Sequence, residues 1–270
     1  ALAFGAVNLP LYTPQEDPGP DFAALVRRSG MFPETTPSGF SGQIEVPHGT
    51  TCVAIRHGDG VVMAGDRRAT AGNFISHRSI EKVFPADRYS GVAIAGAAGP
   101  AMEMVHLFQL QLEHYEKVEG SPVSLEGKAN QLSQMVRNHL PAAMTGLGVV
   151  PIFAGYDTNR AAGRIFQYDV TGGRYEERDH ATTGSGGMQA TTVIKLGLRS
   201  DLSESDTIDL ALRALLEAAD EDSATGGPDM VRGIYPVVAT IGPAGFTRVD
   251  DDDLAARFET ILAALRESHS

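Results

Sequence analysis

The order in which strand-like and helix-like stretches follow one another constrains this chain more than any single motif. From Thr50 onward, TTCVAIRH, the turn Gly58-Asp59-Gly60 and VVMAGDR form a hairpin signal, two β-rich runs around a glycine-rich turn. FISH (74–77) and GVAIAGAA (91–98) are further strand candidates. Ala101, Met104, Val105, Phe108, Leu112 and Tyr115 then recur at helical spacing, which predicts an amphipathic helix over 100–117. A second helix is expected at about 124–140, stopped by Pro141. Strands return at 149–157 and 163–170, the latter turning at Gly172-Gly173. After ATTGSGG comes a short helix (188–198), then another with Ile208, Leu212, Leu215, Leu216 and Ala219 on one face. The last strands are 234–242 and 245–249, and Leu254, Phe258, Ile261, Leu262 and Leu265 make the final helical stripe.

Hairpin-joined strands mean antiparallel sheets, and helices that arrive in pairs mean separate covering layers. The expected fold is therefore α+β, a four-layer α/β/β/α sandwich of two antiparallel sheets. A doubly wound parallel sheet would need strand and helix to alternate, and they do not.

The first 49 residues follow other rules. They hold Pro10, Pro14, Pro18, Pro20, Pro33, Pro37 and Pro47, and only DFAALVRR (21–28) has the makings of a short helix. Such a segment buries little by itself, so 1–49 is expected to be a pro-segment and 50–270 the folded domain. A formal net charge of -12 argues against nucleic-acid or anionic-membrane partners, which need a basic surface. The single cysteine, Cys52, excludes an internal disulfide and fits a reducing compartment. No apolar run approaches the roughly 18 residues that span a bilayer, and the opening ALAFGAVNLPLY lacks the basic start of a secretory signal. A cytoplasmic location is the expectation. The run Asp250 to Asp253 precedes an apolar-periodic stretch and reads as helix N-terminal charge.

Chemistry is concentrated at Pro47-His48-Gly49-Thr50-Thr51, where the proline-rich tail meets the first β-rich run. A threonine hydroxyl is a weak nucleophile that needs a base beside it, and a chain's own α-amino group can serve when threonine is the first residue. Cleavage after Gly49 would make Thr50 first. Taken alone, Gly-Thr-Thr would simply open a strand. Asp66 in GDRRAT stands on the second strand of the hairpin, beside the first, and Glu81-Lys82-Val83 supplies a lysine in an apolar setting. A lysine charge held by a carboxylate beside a hydroxyl makes that hydroxyl easier to deprotonate. IAGAAG (94–99) ends a strand on glycine before a helix, where backbone N–H groups can bind an oxyanion.

On these residues the chain resembles the proteasome β subunits, most closely the bacterial (actinobacterial) type of this amino-terminal-nucleophile hydrolase family. The matching stretches are HGTT, GDRRAT, EKVF, IAGAAGPAME, YDVTGGRYEE, TTGSGG and EDSATGG, in the family's order. The resemblance implies that Thr50 is the nucleophile, exposed by self-processing between Gly49 and Thr50, that Asp66 holds the catalytic Lys82, and that Gly96 supplies the oxyanion hole. It places Ser185, Asp222 and Thr225 around the α-amino group. It makes the main chain of Thr70, Gly96 and Ala98 the edge on which substrate adds as a strand. Ala69, Ile80, Ile94, Ala98 and Met102 fall where the family lines its primary specificity pocket, so cleavage after hydrophobic residues is implied. It further implies heptameric rings of this chain, stacked on rings of proteasome α subunits and fed unfolded protein by a ring ATPase unfoldase. No cofactor or metal is implied.

The family often has serine where this chain has Gly187 and Thr225, which bears on fine tuning around the amine. Cys52 is also uncommon so near the active end, and reads as a small buried strand residue. Thr183-Gly184-Ser185-Gly186-Gly187 is not G-x-S-x-G, no dinucleotide or Walker pattern is complete, and the histidines show no zinc spacing. Two other readings stand beside the peptidase: an amidase for small molecules with the same nucleophile but no ring, and a silent ring subunit, which should lack the Thr, Asp and Lys set. The shorter two-ring bacterial relative is disfavoured by the long pro-segment.

Overall fold

A computed structural model describes residues 49–58 and 60–268. The expected helix at 21–28 and the rest of the proline-rich segment before Gly49 lie outside the described residues, as does Asp59 of the first turn.

Two five-stranded antiparallel sheets form the centre. The first has the order β10-β1-β2-β11-β12, with β1 (Thr51–Arg56), β2 (Val61–Gly65), β10 (His180–Gly184), β11 (Val237–Gly242) and β12 (Gly245–Arg248). The second runs β5-β6-β7-β8-β9, with β5 (Val83–Asp87), β6 (Ser90–Gly96), β7 (Val149–Asp157), β8 (Ala162–Tyr168) and β9 (Arg174–Glu177). A small ribbon pairs β3 (Ala69–Ala71) with β4 (Phe74–His77). The helices are α1 (Ala98–Glu119), α2 (Leu125–Asn138), a short α3 (Leu140–Ala143), α4 (Gly187–Gly197), α5 (Glu204–Glu221) and α6 (Asp251–Ser268).

Strand periodicity separates three apolar interfaces, which is what four layers require. Successive residues of a strand face opposite sides of the sheet. Val53 and Ile55 of β1, with Val62 and Ala64 of β2, point outward to Ile194 of α4, Leu212 and Leu215 of α5 and Phe258 of α6. Cys52, Ala54, Val61 and Met63 point inward and meet Ala93, Ile152, Ala154 and Ile165 of the other sheet. Phe153 and Phe166, on the far face of that sheet, pack against Phe108 and Leu112 of α1 and Leu132 of α2. Each large side chain buried in these interfaces is worth about 1.5–3 kcal/mol relative to exposure. The expected α/β/β/α sandwich is thus the observed one.

Boundaries follow local chemistry. Ser124 caps α2 by accepting from the Gly127 amide, and Ser203 with Asp206 forms a capping box on α5. Pro141 does not merely stop α2: it occupies the first turn of α3, where its missing N–H costs nothing. The strand expected over 234–242 starts only at Val237, because Ile234 is engaged in a bridge with Asp229 and Pro236 follows. The strand expected over 163–170 ends at Tyr168, since the Asp169 carboxylate accepts from the Thr171 and Gly173 amides and turns the chain. GVAIAGAA likewise divides, β6 ending at Gly96 and α1 beginning at Ala98.

Candidate active site

Thr50 immediately precedes β1, a strand paired on one side with β10 and on the other with β2. Its hydroxyl donates to the Gly49 carbonyl at 2.6 Å. Lys82 lies just before β5, and its ammonium makes three contacts: Asp66 Oδ1 at 2.6 Å, the Arg68 carbonyl at 2.6 Å and the Gly49 carbonyl at 3.1 Å. Three donors meet three acceptors, which satisfies a lysine buried to 4% exposure. Two groups, the Thr50 hydroxyl and the Lys82 ammonium, therefore converge on the oxygen of Gly49.

Asp66 sits one residue beyond the end of β2 rather than on it, yet keeps the hairpin ladder going through its amide to the Thr51 carbonyl. Its carboxylate is fully buried and takes two donors on each oxygen. Oδ1 accepts from Lys82 and the Thr51 amide (2.8 Å), and Oδ2 from the Arg68 and Gly226 amides (2.8 Å each). Such a carboxylate is compensated on every side, as burial demands.

A second hydroxyl chain approaches Thr50 from the α5 end. Asp222, at the C-terminus of α5, accepts from Ser185 at 2.5 Å and from Thr225 at 2.6 Å. Burial works against its ionised form, but the hydrogen bonds from Ser185, Thr225 and the Ala224 amide outweigh it and hold the carboxyl below its ordinary range. Ser185 Oγ lies 3.5 Å from the Thr50 nitrogen. Because Thr225 gives its proton to Asp222, the Thr51 hydroxyl 2.6 Å away must be the donor to Thr225. Thr51 was not singled out from sequence: a second threonine in a strand carries no signal of its own.

Glycines close the site. Gly96 adopts φ +116°, and a β-carbon there would collide with the Gly148 carbonyl; at Gly184, φ +97°, it would collide with the Thr50 carbonyl. Two pockets meet at Gly49, Thr50 and Gly96. One is lined by Ala69, Ile80, Ile94, Ala98, Ala101 and Met102 with Glu81 and Lys82 and encloses only about 20 Å³ of free space. All five residues expected to line an apolar pocket are among them. The other, about 550 Å³, opens on the side of Ser185. Thr70 lies beside Gly49 on β3, its hydroxyl within 3 Å of where a Gly49 β-carbon would stand. Cys52 is buried beside Lys82, and burial pushes its thiol up to about 12, more than the lysine charge pulls it down. The structure thus brings together every site residue expected from sequence. The missed participants are mostly main-chain groups, the Arg68 carbonyl and the Gly226 amide.

Among the described residues no three of His, Cys, Asp or Glu stand close enough to hold a metal ion, and no helix is long and apolar enough to cross a membrane. The family model described as "Proteasome subunit" matches residues 46–232. The proteasome subunit beta of Acidimicrobium ferrooxidans is 60% identical over 262 residues, covering 96% of this chain and 94% of that protein. Those of Streptomyces griseus and Acidothermus cellulolyticus are 55% and 50% identical, covering 87% and 97% of this chain and 85% and 92% of theirs.

Proposed function

The chain belongs to the proteasome β-subunit family, and from that premise we propose that it is a threonine-type endopeptidase subunit of a proteasome core, activated by cutting itself between Gly49 and Thr50. The observation that carries this reading is the convergence on the Gly49 carbonyl, which has the Thr50 hydroxyl at 2.6 Å and the Lys82 ammonium at 3.1 Å.

In the uncut chain, the Thr50 oxygen attacks the Gly49 carbonyl carbon while Lys82 supports the charge that develops on its oxygen. The hydroxyl proton passes to the Thr50 nitrogen as the C–N bond breaks, leaving Gly49 esterified to the Thr50 side chain and the Thr50 nitrogen as a free amine. Water then hydrolyses the ester, releasing the segment 1–49 as a carboxylate and regenerating the hydroxyl. Departure of Gly49 frees one Lys82 N–H at the place its carbonyl held, next to the Thr50 oxygen. The other two remain on Asp66 and Arg68.

On a substrate, the Thr50 amine takes the hydroxyl proton, the oxygen attacks the scissile carbonyl, and the oxyanion lies at the Gly96 amide. The amine returns the proton to the leaving nitrogen, and water hydrolyses the acyl-enzyme. Ser185, Asp222 and Thr225 hold the amine in place. Substrate adds as a strand along Thr70, Gly96 and Ala98 and lowers its side chain into the pocket of Ala69, Ile80, Ile94, Ala98 and Met102, which favours hydrophobic residues. Gly49 demands no room there; a larger side chain displaces the flexible Met102. The chain works in heptameric rings with α subunits, in the cytoplasm, on unfolded proteins delivered by a ring ATPase.

Intact mass of the assembled protein tests the reading, with loss of residues 1–49 expected for the parent and no loss for Thr50→Ala. A Thr50→Ala chain that still matures unaided and cuts peptides would overturn it.

A further inference from the structure

The wide pocket beyond Thr50 has a direction built into it. Of the two groups that flank Thr50, Lys82 lines only the narrow apolar pocket, whereas Ser185, which faces the Thr50 nitrogen, lines only the wide one. Strand alternation separates the two in the same way, with Ile94 of β6 facing the narrow pocket and Ala95 the wide one. A leaving amine must collect its proton from the Thr50 nitrogen, so it departs on the Ser185 side.

We propose that this cavity of about 550 Å³ is a subsite for the residue on the amine side of the scissile bond, and that it selects uncharged, apolar side chains. The inference rests on the threonine-peptidase reading and adds its second specificity determinant. Val150, Gln167, Thr182, Thr183 and Met188 make the floor and wall, and no acidic or basic side chain is among the lining; the amine that cleavage would free on Thr50 faces Ser185 at the rim and is engaged in the reaction. Most of the polar atoms there are already engaged: the Gln167 amide donates to the Thr182 carbonyl, the Thr183 hydroxyl to the Val150 carbonyl, and the Thr182 and Thr191 hydroxyls pair. A charged side chain entering it loses water and gains no partner. An apolar one meets Val150 and the thioether of Met188, a side chain 79% exposed at the start of α4 and free to fold over it.

The test uses the mature assembled protein and peptides with one acyl half, leucine at the acyl position, and Gly, Leu, Asp or Lys on the amine side. Leucine is expected to exceed aspartate and lysine about tenfold in kcat/KM. Met188→Ala should bring leucine to within about twofold of glycine. Capture of Thr50 by a peptide aldehyde carrying the same acyl half, which has no amine side, should not change. Met188→Glu should raise the lysine peptide above leucine. A parent that cleaves and is captured but shows no amine-side preference overturns the subsite alone, as does a Met188→Ala chain whose capture falls as much as its cleavage. No cleavage together with no adduct at Thr50 overturns the peptidase reading and the subsite with it.

Discussion

Replacing Asp66 with asparagine sets the buried ion pair against its own surroundings. Each carboxylate oxygen accepts two donors, so the asparagine NH2 must face a donor pair whichever way the amide turns. Turned one way it confronts Lys82 and the Thr51 amide; turned the other, the Arg68 and Gly226 amides. Lys82, buried to 4% exposure, also loses the one carboxylate it meets among the described residues. Breaking one partner out of a buried pair costs about 3–5 kcal/mol, against a total stability of about 5–15 kcal/mol. The measurement is urea unfolding followed by circular dichroism, made in a Thr50→Ala background so that cleavage does not alter the chain under study. Asp66→Asn should lose about 3–5 kcal/mol. With Lys82→Met added, the loss should fall short of the sum of the two single losses by more than about 1 kcal/mol. An unfolding free energy within about 0.5 kcal/mol of the background, or strict additivity, would refute the claim that this pair is held by mutual compensation.

Three further outcomes follow from the same geometry. Gly96→Ala should slow peptide cleavage at least about 100-fold and destabilise the fold by about 1–3 kcal/mol, while Gly99→Ala in α1, where nothing lies within 4 Å, leaves both intact; equal effects would show that backbone shape at Gly96 is not the cause. Iodoacetamide at pH 8 should leave Cys52 of the native protein unmodified over a time that fully modifies the urea-unfolded chain, since its thiol sits at about 12 and is buried; a native rate within about tenfold of the unfolded one would contradict this. Asp222 has a depressed carboxyl in the folded state, so its contribution is present above its unfolded value of about 3.9 and vanishes as pH falls through the lower folded one. The stability gap between the parent and Asp222→Asn should be flat above about pH 5 and close below about pH 4; a gap that closes near neutrality would reverse that sign.

Most of the strands that were legible in the sequence are buried on two sides, the exposed β4 and the edge strand β12 being the exceptions. β1 and β2 alternate between two apolar interfaces, and α1 and α5 present one continuous stripe, so hydrophobic spacing marked them. The strands that escaped are at edges or very short. β5 carries Pro85 and β9 reads RYEE, both tolerable only where one side of the ladder is unpaired; β10 closes the other sheet, and β3 has three residues. The candidate site was legible through its side chains, because Thr50, Asp66, Lys82, Ser185 and Asp222 each bear a functional group and stand in a family order. The Arg68 carbonyl, the Gly226 amide and the Thr51–Thr225 hydroxyl pair were not. Every residue owns a carbonyl and an amide, so only folding reveals which ones matter.

β1 lies between β10 and β2, and Thr50 is the residue that enters it. A chain end is ordinarily the least ordered part of a protein, and an amine placed there wanders over many positions. Cutting after Gly49 would create a terminus that cannot fray, since the residue after it pairs with Gly184 of β10 on one flank and accepts the Asp66 amide on the other, and Gly184 leaves no room for a β-carbon beside the Thr50 carbonyl. The new amine would be born with its translational and rotational entropy already spent on the folding of a sheet, and a reaction that uses it owes nothing further for its alignment.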